Sequence, residues 1–455
     1  MHRRVAREKI FHNYLIINYL TLRAAHIINL VFGLLIILIS FNLLDFFYFW
    51  KGFSGTPIVK IFFAVIALFL LSKSTHTPNM SLQIWTFFSI SFIVIAYPVT
   101  LFYKEIHPTI EPPFLIRSFV YNYLITIICY KFTLFSAQRG EINRLINGVL
   151  ILFIVTSLLT IFSIPLGFLA IQYTHQPDIV PLDRMAGVYI NPNLSGFAGN
   201  ITMSLGLGVL FRNEGSIGRA LLGFLGITIG IIAIAASVSK TAIIIAILVL
   251  LVAIFVYFTT YRRMSRPTRR LGNIFFGLLT YGVIQMSILL GVFFSDLLPS
   301  QQRRIEQIGL ILTGRADKSD TSNRADLAAL GFEKISDRPL LGTGLGSFMH
   351  LLDAASKTGD DVGIHNIYIR VWGESGILPF ALFMFFWVIS LWQAFLIPVP
   401  WMRMTALALW FMFAISGLTS HDIFEFDLSG SALGFMLAFS VAHRFMDEKE
   451  TLISS

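Results

Sequence analysis

Apolar stretches of about 18 to 25 residues recur along almost the whole of this chain, and each can cross a hydrocarbon core of about 30 Å as a helix. About twelve such stretches are expected, at 24–47, 56–72, 82–103, 114–136, 145–170, 194–211, 220–236, 242–261, 273–294, 374–396, 404–417 and 429–443. With 56% hydrophobic and 13% charged residues over 455 positions, the composition lies far from that of a soluble domain. The expected fold class is therefore an all-α polytopic integral membrane protein.

Lys and Arg collect on one face of the twelve-span arrangement. Arg3, Arg4, Arg7, Lys9 and Arg23 precede the first span, Arg139 and Arg144 separate the fourth from the fifth, and Arg212 and Arg219 flank the next turn on that side. The densest basic segment is YRRMSRPTRR at 261–270. The positive-inside rule makes this face cytoplasmic, with both termini on it. The opening MHRRVAREKIFHNYL shows no small-residue cleavage site and reads as a cytoplasmic tail. Topology thus accounts for the net charge of +9, and no nucleic-acid partner is expected. The single cysteine, Cys129, lies inside an apolar span, so neither a disulfide framework nor a thiolate metal site is expected.

One long polar interruption, 296–367, divides the chain into an N-terminal bundle (1–295), a large outer loop and a C-terminal set of helices with a cytoplasmic tail (368–455). Within the loop, RADLAALGFEKI places Leu327, Leu330, Phe332 and Ile335 mostly on one side of a helix, which Pro339 and Gly342 then stop. A small helical subdomain resting on the membrane surface over a cavity is expected. No internal repeat stands out, which disfavours a transporter built from inverted repeats.

Read by face, Arg184, Lys240, Arg315, Arg324, His365 and Arg370 all fall in outer loops or at outer helix ends, where the positive-inside rule does not place cations. Any one of them alone reads equally as a solvated side chain or a headgroup anchor. Gathered on one face, they suit a phosphate, since guanidinium groups match phosphate oxygens with paired, charge-assisted hydrogen bonds. A pyrophosphate leaving group would fit. His365 is the candidate general base, because imidazole titrates near neutral pH. Asn366 is placed to cap the following helix, and Glu374, four residues after Arg370, can pair with it along one helix face. Asn191 and Asn193, in NPN, read as a turn capping the sixth span. The glycines of GTGLGSF at 342–348 follow no convincing strand and read as a sharp turn. HDIFEFD at 421–427 is too dispersed for a metal site.

Four stretches together resemble the O-antigen ligase and polymerase family of bacterial envelope glycosyltransferases: RMAGVYINPN at 184–193, SVSKTA at 237–242, NRADLAALGFEKISDRPLLGTGLGSF at 323–348 and HNIYIRVWGESG at 365–376. The resemblance implies a GT-C-like membrane fold with its large periplasmic loop between helices 9 and 10. It also implies glycan transfer from an undecaprenyl pyrophosphate carrier to an acceptor hydroxyl, without metal or other cofactor. Arg184, Arg324 and His365 match the family's loop arginine, long-loop arginine and histidine. Two positions depart from the pattern. Lys240 stands where the family often has arginine, keeping the charge without the bidentate fork, and Leu327 stands where an aromatic residue is common.

The leading expectation is an O-antigen ligase of the bacterial inner membrane, with a periplasmic active site, joining glycan to a sugar hydroxyl of lipid A-core in lipopolysaccharide biosynthesis. His365 is expected to activate the acceptor, and Arg184 and Arg324 to hold the donor pyrophosphate. Lys240 and Arg315 are expected to assist, with Asn191, Asn193, Asn366, Arg370 and Glu374 in supporting positions. An O-antigen or capsule polymerase uses the same donor with a lipid-linked glycan as acceptor. A lipid exporter fits less well, since its functional charges would lie near mid-span.

Overall fold

The computed structural model describes residues 79–102, 112–162, 191–212, 217–261, 324–346, 366–419 and 427–446, with isolated positions including Tyr189 and Ile364. Among the described residues the regular structure is helical: α1 Met80–Phe102, α2 Pro112–Gln138, α3 Ile142–Ile161, α4 Pro192–Leu210, α5 Ile217–Ser237, α6 Lys240–Tyr261, α7 Arg324–Asp337, α8 Ile367–Ser375, α9 Ile377–Leu396, α10 Pro400–Thr419 and α11 Asp427–Ala442. Seven of these, α1, α2, α3, α5, α6, α9 and α10, are long and apolar enough to cross a membrane. The expected span 273–294 lies outside the described residues, as do 24–47 apart from Gly33 and 56–72 apart from a few isolated positions.

Apolar residues cover these helices on both the buried and the exposed side. On α9, Pro379, Phe383, Phe386, Trp387, Ser390 and Ala394 are buried, while Leu378, Phe385, Val388 and Trp392 face outward. A helix with an apolar outer face needs lipid around it. Its inner face meets α1 in an aromatic stack: Phe88 lies 4.9 Å from Phe383, and Trp85 lies 4.9 Å from Phe386.

The most deeply packed helix is α4, with every residue from Leu194 to Val209 buried. It is also rich in glycine, serine and asparagine, a composition suited to close helix contact rather than to lipid. A side-chain carbon at Gly199 would stand 3.0 Å from the Gly230 carbonyl oxygen, and one at Gly206 would stand 2.8 Å from that of Gly223. The backbones of α4 and α5 therefore nearly touch. Asn200 completes the join by donating to the Ala242 carbonyl of α6 at 3.0 Å.

The bundle has two distinct ends. At the basic end, Arg139 and Glu141 turn α2 into α3, and Arg212 follows α4. The Arg212 guanidinium lies 4.4 Å over the Trp401 ring, and its Nη1 donates to Asn147 Oδ1 at 2.8 Å. The far end holds the C-terminus of α1, the N-termini of α4, α6, α8 and α9, and the loop helix α7.

One expected boundary is corrected. The stretch 374–396 is not a single span: Gly376, at φ 78°, separates the short buried α8 from the spanning α9, which starts at Ile377. Glu374 therefore belongs to α8. The loop helix expected from RADLAALGFEKI is present as α7, packed through Ile335 against Ile364 and Ile369.

Candidate functional site

Two groups of polar residues stand at the far end, on either side of the last turns of α10. The first joins α4 to the turn between α5 and α6. Asn191 caps α4, its Oδ1 accepting the Asn193 N–H at 2.8 Å, with Pro192 at the first helical position. Asn193 Oδ1 in turn accepts from Ser239 Oγ at 3.1 Å. A side-chain carbon at Gly196 would stand 2.6 Å from Ala242 Cβ, so the cap of α4 is held directly against the start of α6. Tyr189, just before the cap, is buried and bonded to the Thr156 hydroxyl; burial pushes its own hydroxyl pKa up and keeps it neutral.

The α5–α6 turn is strained. Val238 is buried at φ 47°, a left-handed conformation that costs a β-branched residue about 1–2 kcal/mol. Such strain persists only where its surroundings impose it, and it concentrates at functional sites. Here it places Lys240 on the first turn of α6, half-buried. A cation at a helix N-terminus opposes the macrodipole by about 0.3–1 kcal/mol, so helix stability does not explain this lysine.

The second group is built on α8. Asn366 Oδ1 accepts the N–H groups of Tyr368 at 3.0 Å and Ile369 at 3.2 Å, the cap its position in the sequence indicated. Arg370 Nε donates to Glu374 Oε1 at 3.0 Å, with both residues buried. The expected i, i+4 pair is present, and it is a buried one. Tyr368 donates from its hydroxyl to the Ala414 carbonyl at 3.0 Å, while Phe197 of α4 lies 5.5 Å from Phe413. The last turns of α10 thus connect the two groups.

The glycine-rich segment is the turn that was expected, with a further task. Gly342, Gly344 and Gly346 have φ of 71°, 92° and 71°. Thr343 donates to the Gly373 carbonyl through its N–H at 2.8 Å and its hydroxyl at 3.0 Å, and the Gly344 N–H donates to the Glu374 carbonyl at 2.9 Å. The Leu345 N–H donates to Thr100 Oγ1 of α1 at 2.6 Å. The turn satisfies the carbonyls at the end of α8 and clamps that helix to α1.

His365 and Arg184 lie outside the described residues, and so does the side chain of Arg324, whose backbone opens α7. Both neighbours of His365 are fixed: Ile364 is buried against α7, and Asn366 caps α8. Asn191, Asn193 and Lys240 come together in the first group and Asn366, Arg370 and Glu374 in the second, whereas Arg315 is exposed. Most of HDIFEFD lies outside the described residues, and among those described no three His, Cys, Asp or Glu side chains gather to hold a metal. Thr100, Thr343, Tyr189 and Val238 were missed from sequence. Only the positive-φ glycines beside Thr343 carried a readable signal.

Residues 225–384 match the family model described as O-antigen ligase. The matched stretch runs from α5 into α9 and includes Lys240, Arg324, His365, Arg370 and Glu374, while Arg184, Asn191 and Asn193 precede it. No curated protein matches the chain significantly.

Proposed function

We propose that this chain, whose residues 225–384 match the family model described as O-antigen ligase, is a membrane glycosyltransferase that moves glycan from undecaprenyl pyrophosphate to a sugar hydroxyl of lipid A-core. The observation that carries this reading is the far end of the bundle. The capped N-termini of α4 and α8 and the N-terminus of α6, which bears Lys240, stand there around the last turns of α10. Helix N-termini present unpaired N–H groups and a partial positive charge, and a lysine among them favours an anion.

In this reading the far end is periplasmic, the basic end cytoplasmic, and the membrane the bacterial inner membrane. Arg184 and Arg324 hold the donor pyrophosphate, and Lys240 assists as a point charge. His365 takes the acceptor hydroxyl proton as that oxygen attacks the anomeric carbon. The new C–O bond forms as the bond from carbon to pyrophosphate oxygen breaks, and undecaprenyl pyrophosphate departs with the electron pair. Attack opposite the leaving group inverts the anomeric centre. Cationic groups aimed at the departing oxygens lower the barrier because charge accumulates there in the transition state. The Asn366 cap, the Arg370–Glu374 pair and the 342–346 turn hold α8, and with it the residue that precedes the cap.

The test is complementation of a deletion strain with wild type or His365→Ala, reading lipopolysaccharide by gel together with extracted lipid-linked glycan. A ligase gives bare lipid A-core and accumulated long lipid-linked polymer in the His365→Ala strain at normal expression. Core bearing a single repeat unit instead identifies a polymerase. An unchanged ladder in both strains removes the protein from this pathway.

A further inference from the structure

Phe332 of α7 and Leu340 and Leu341 in the turn after it are 53%, 71% and 61% exposed, although they lie outside every spanning helix. Their neighbours extend the same apolar surface. The Leu340 carbonyl touches Gly376, where α9 begins, and the outward Ile377 and Leu378 continue the same apolar surface down the span. An aromatic ladder crosses the junction. Phe332 lies 6.4 Å from Trp372 edge-on, and Trp372 stacks on Phe380 at 4.9 Å and 13°. The Trp372 ring is thus packed among apolar groups while its Nε1 donates to the Pro339 carbonyl at 3.2 Å. A tryptophan with an apolar body and a satisfied N–H marks the level of a membrane interface. Farther round α7, about 100° and 140° from Phe332, Glu333 and Asp337 are exposed and acidic.

An apolar patch continuous with a lipid-facing span, acidic residues turned away from it round the helix, and a tryptophan at the seam are the geometry of a helix lying in the interface plane. We infer that α7 and the 339–341 turn are seated in the bilayer surface at the far end, with Phe332, Leu340 and Leu341 among the acyl chains of the lipids that surround α9. Lipid then holds the glycine turn from outside, while Thr100 and the α8 carbonyls hold it from inside. This inference rests on the membrane embedding of α9 alone and is independent of the reaction the protein performs.

Spin labels test it directly. Cys129 is the only cysteine and is buried, so Cys129→Ser provides the background. Phe332→Cys, Leu340→Cys and Leu341→Cys are labelled in the full chain in phosphatidylethanolamine–phosphatidylglycerol vesicles, beside Leu378→Cys as the lipid control and Asp337→Cys as the water control. Collision rates with oxygen and with a water-soluble nickel chelate are then read. The inference expects the three test sites to match Leu378→Cys, with oxygen-to-nickel ratios several-fold above Asp337→Cys. Ratios equal to those of Asp337→Cys overturn it. Low collision with both reagents also overturns it, and spin–spin broadening would then identify a second copy as the cover rather than another segment of the chain. If the lipid-like ratio appears only after polyprenyl phosphate is added, the surface belongs to an isoprenoid tail and the bulk-lipid assignment is overturned.

Discussion

Lys240 and the Arg370–Glu374 pair make opposite demands on their surroundings, and single substitutions separate the two roles. In the proposed mechanism Lys240 acts through its charge, so Lys240→Ala should lower transfer at limiting donor by about tenfold or more, the size of a lost charge-assisted hydrogen bond of about 1.5–3 kcal/mol. Lys240→Arg should retain transfer, because a guanidinium still pairs with phosphate oxygens. Steady-state transfer with varied lipid-linked donor checks both variants, and equal activity of Lys240→Ala and wild type would remove Lys240 from the site. Arg370 and Glu374 are buried with the charges facing each other. Removing one partner takes this ion pair from the other buried charge, a loss of up to about 3–5 kcal/mol, whereas replacing both with apolar residues of similar size is close to neutral. Glu374→Leu alone should therefore lower the detergent melting temperature far more than Arg370→Met with Glu374→Leu. Equal melting of the two would mean that the pair contributes nothing.

At the scale of the element, α8 is too short to hold itself, since isolated helices below about 12 residues are marginal in water. Its position comes from the cap at one end and the glycine turn at the other. Gly344 has the largest positive φ of that turn. Its φ of 92° suits glycine, and an added side-chain carbon would lie 2.7 Å from the Thr100 amide nitrogen. Gly344→Ala should reduce transfer and open the 339–346 segment to protease while leaving the spans intact. Thr100→Val tests the same clamp from α1, because it leaves the Leu345 N–H without its acceptor at a cost of about 1–3 kcal/mol. Thr100→Ser should behave as wild type. Limited proteolysis of the purified protein distinguishes these outcomes. Sequence spacing made the Asn366 cap and the Arg370–Glu374 pair legible, since both link residues within one helical turn. The Thr100 contact was not legible, because its partners lie 245 positions apart.

For the whole molecule, the two ends carry the prediction. If the far end is periplasmic, an impermeant maleimide added to intact cells should label Asp337→Cys in a Cys129→Ser background and leave Arg139→Cys unlabelled until the cells are broken. The reverse pattern would invert the topology and place the proposed site on the wrong side for a lipid-linked glycan. The arrangement of the ends also explains α4. It is wrapped by α3, α5, α6 and α10, so its outer surface meets protein rather than lipid. Its glycines, serines and asparagines are therefore tolerated in the middle of a membrane protein.

Residue order alone determined that this chain is a set of apolar helices with basic residues gathered at one end, because lipid selects for length and hydropathy and both are local properties. It also determined the caps and the ion pair of α8 and the course of α7, where partners are a turn apart. Only the tertiary structure decided that 374–396 breaks at Gly376 and that Val238 takes a left-handed conformation to set Lys240. It alone decided that the glycine turn reaches back to α1. Each of these depends on groups distant in the chain meeting across a packed interface, and hydropathy, which records only whether a residue prefers lipid, carries no information about which neighbour it meets.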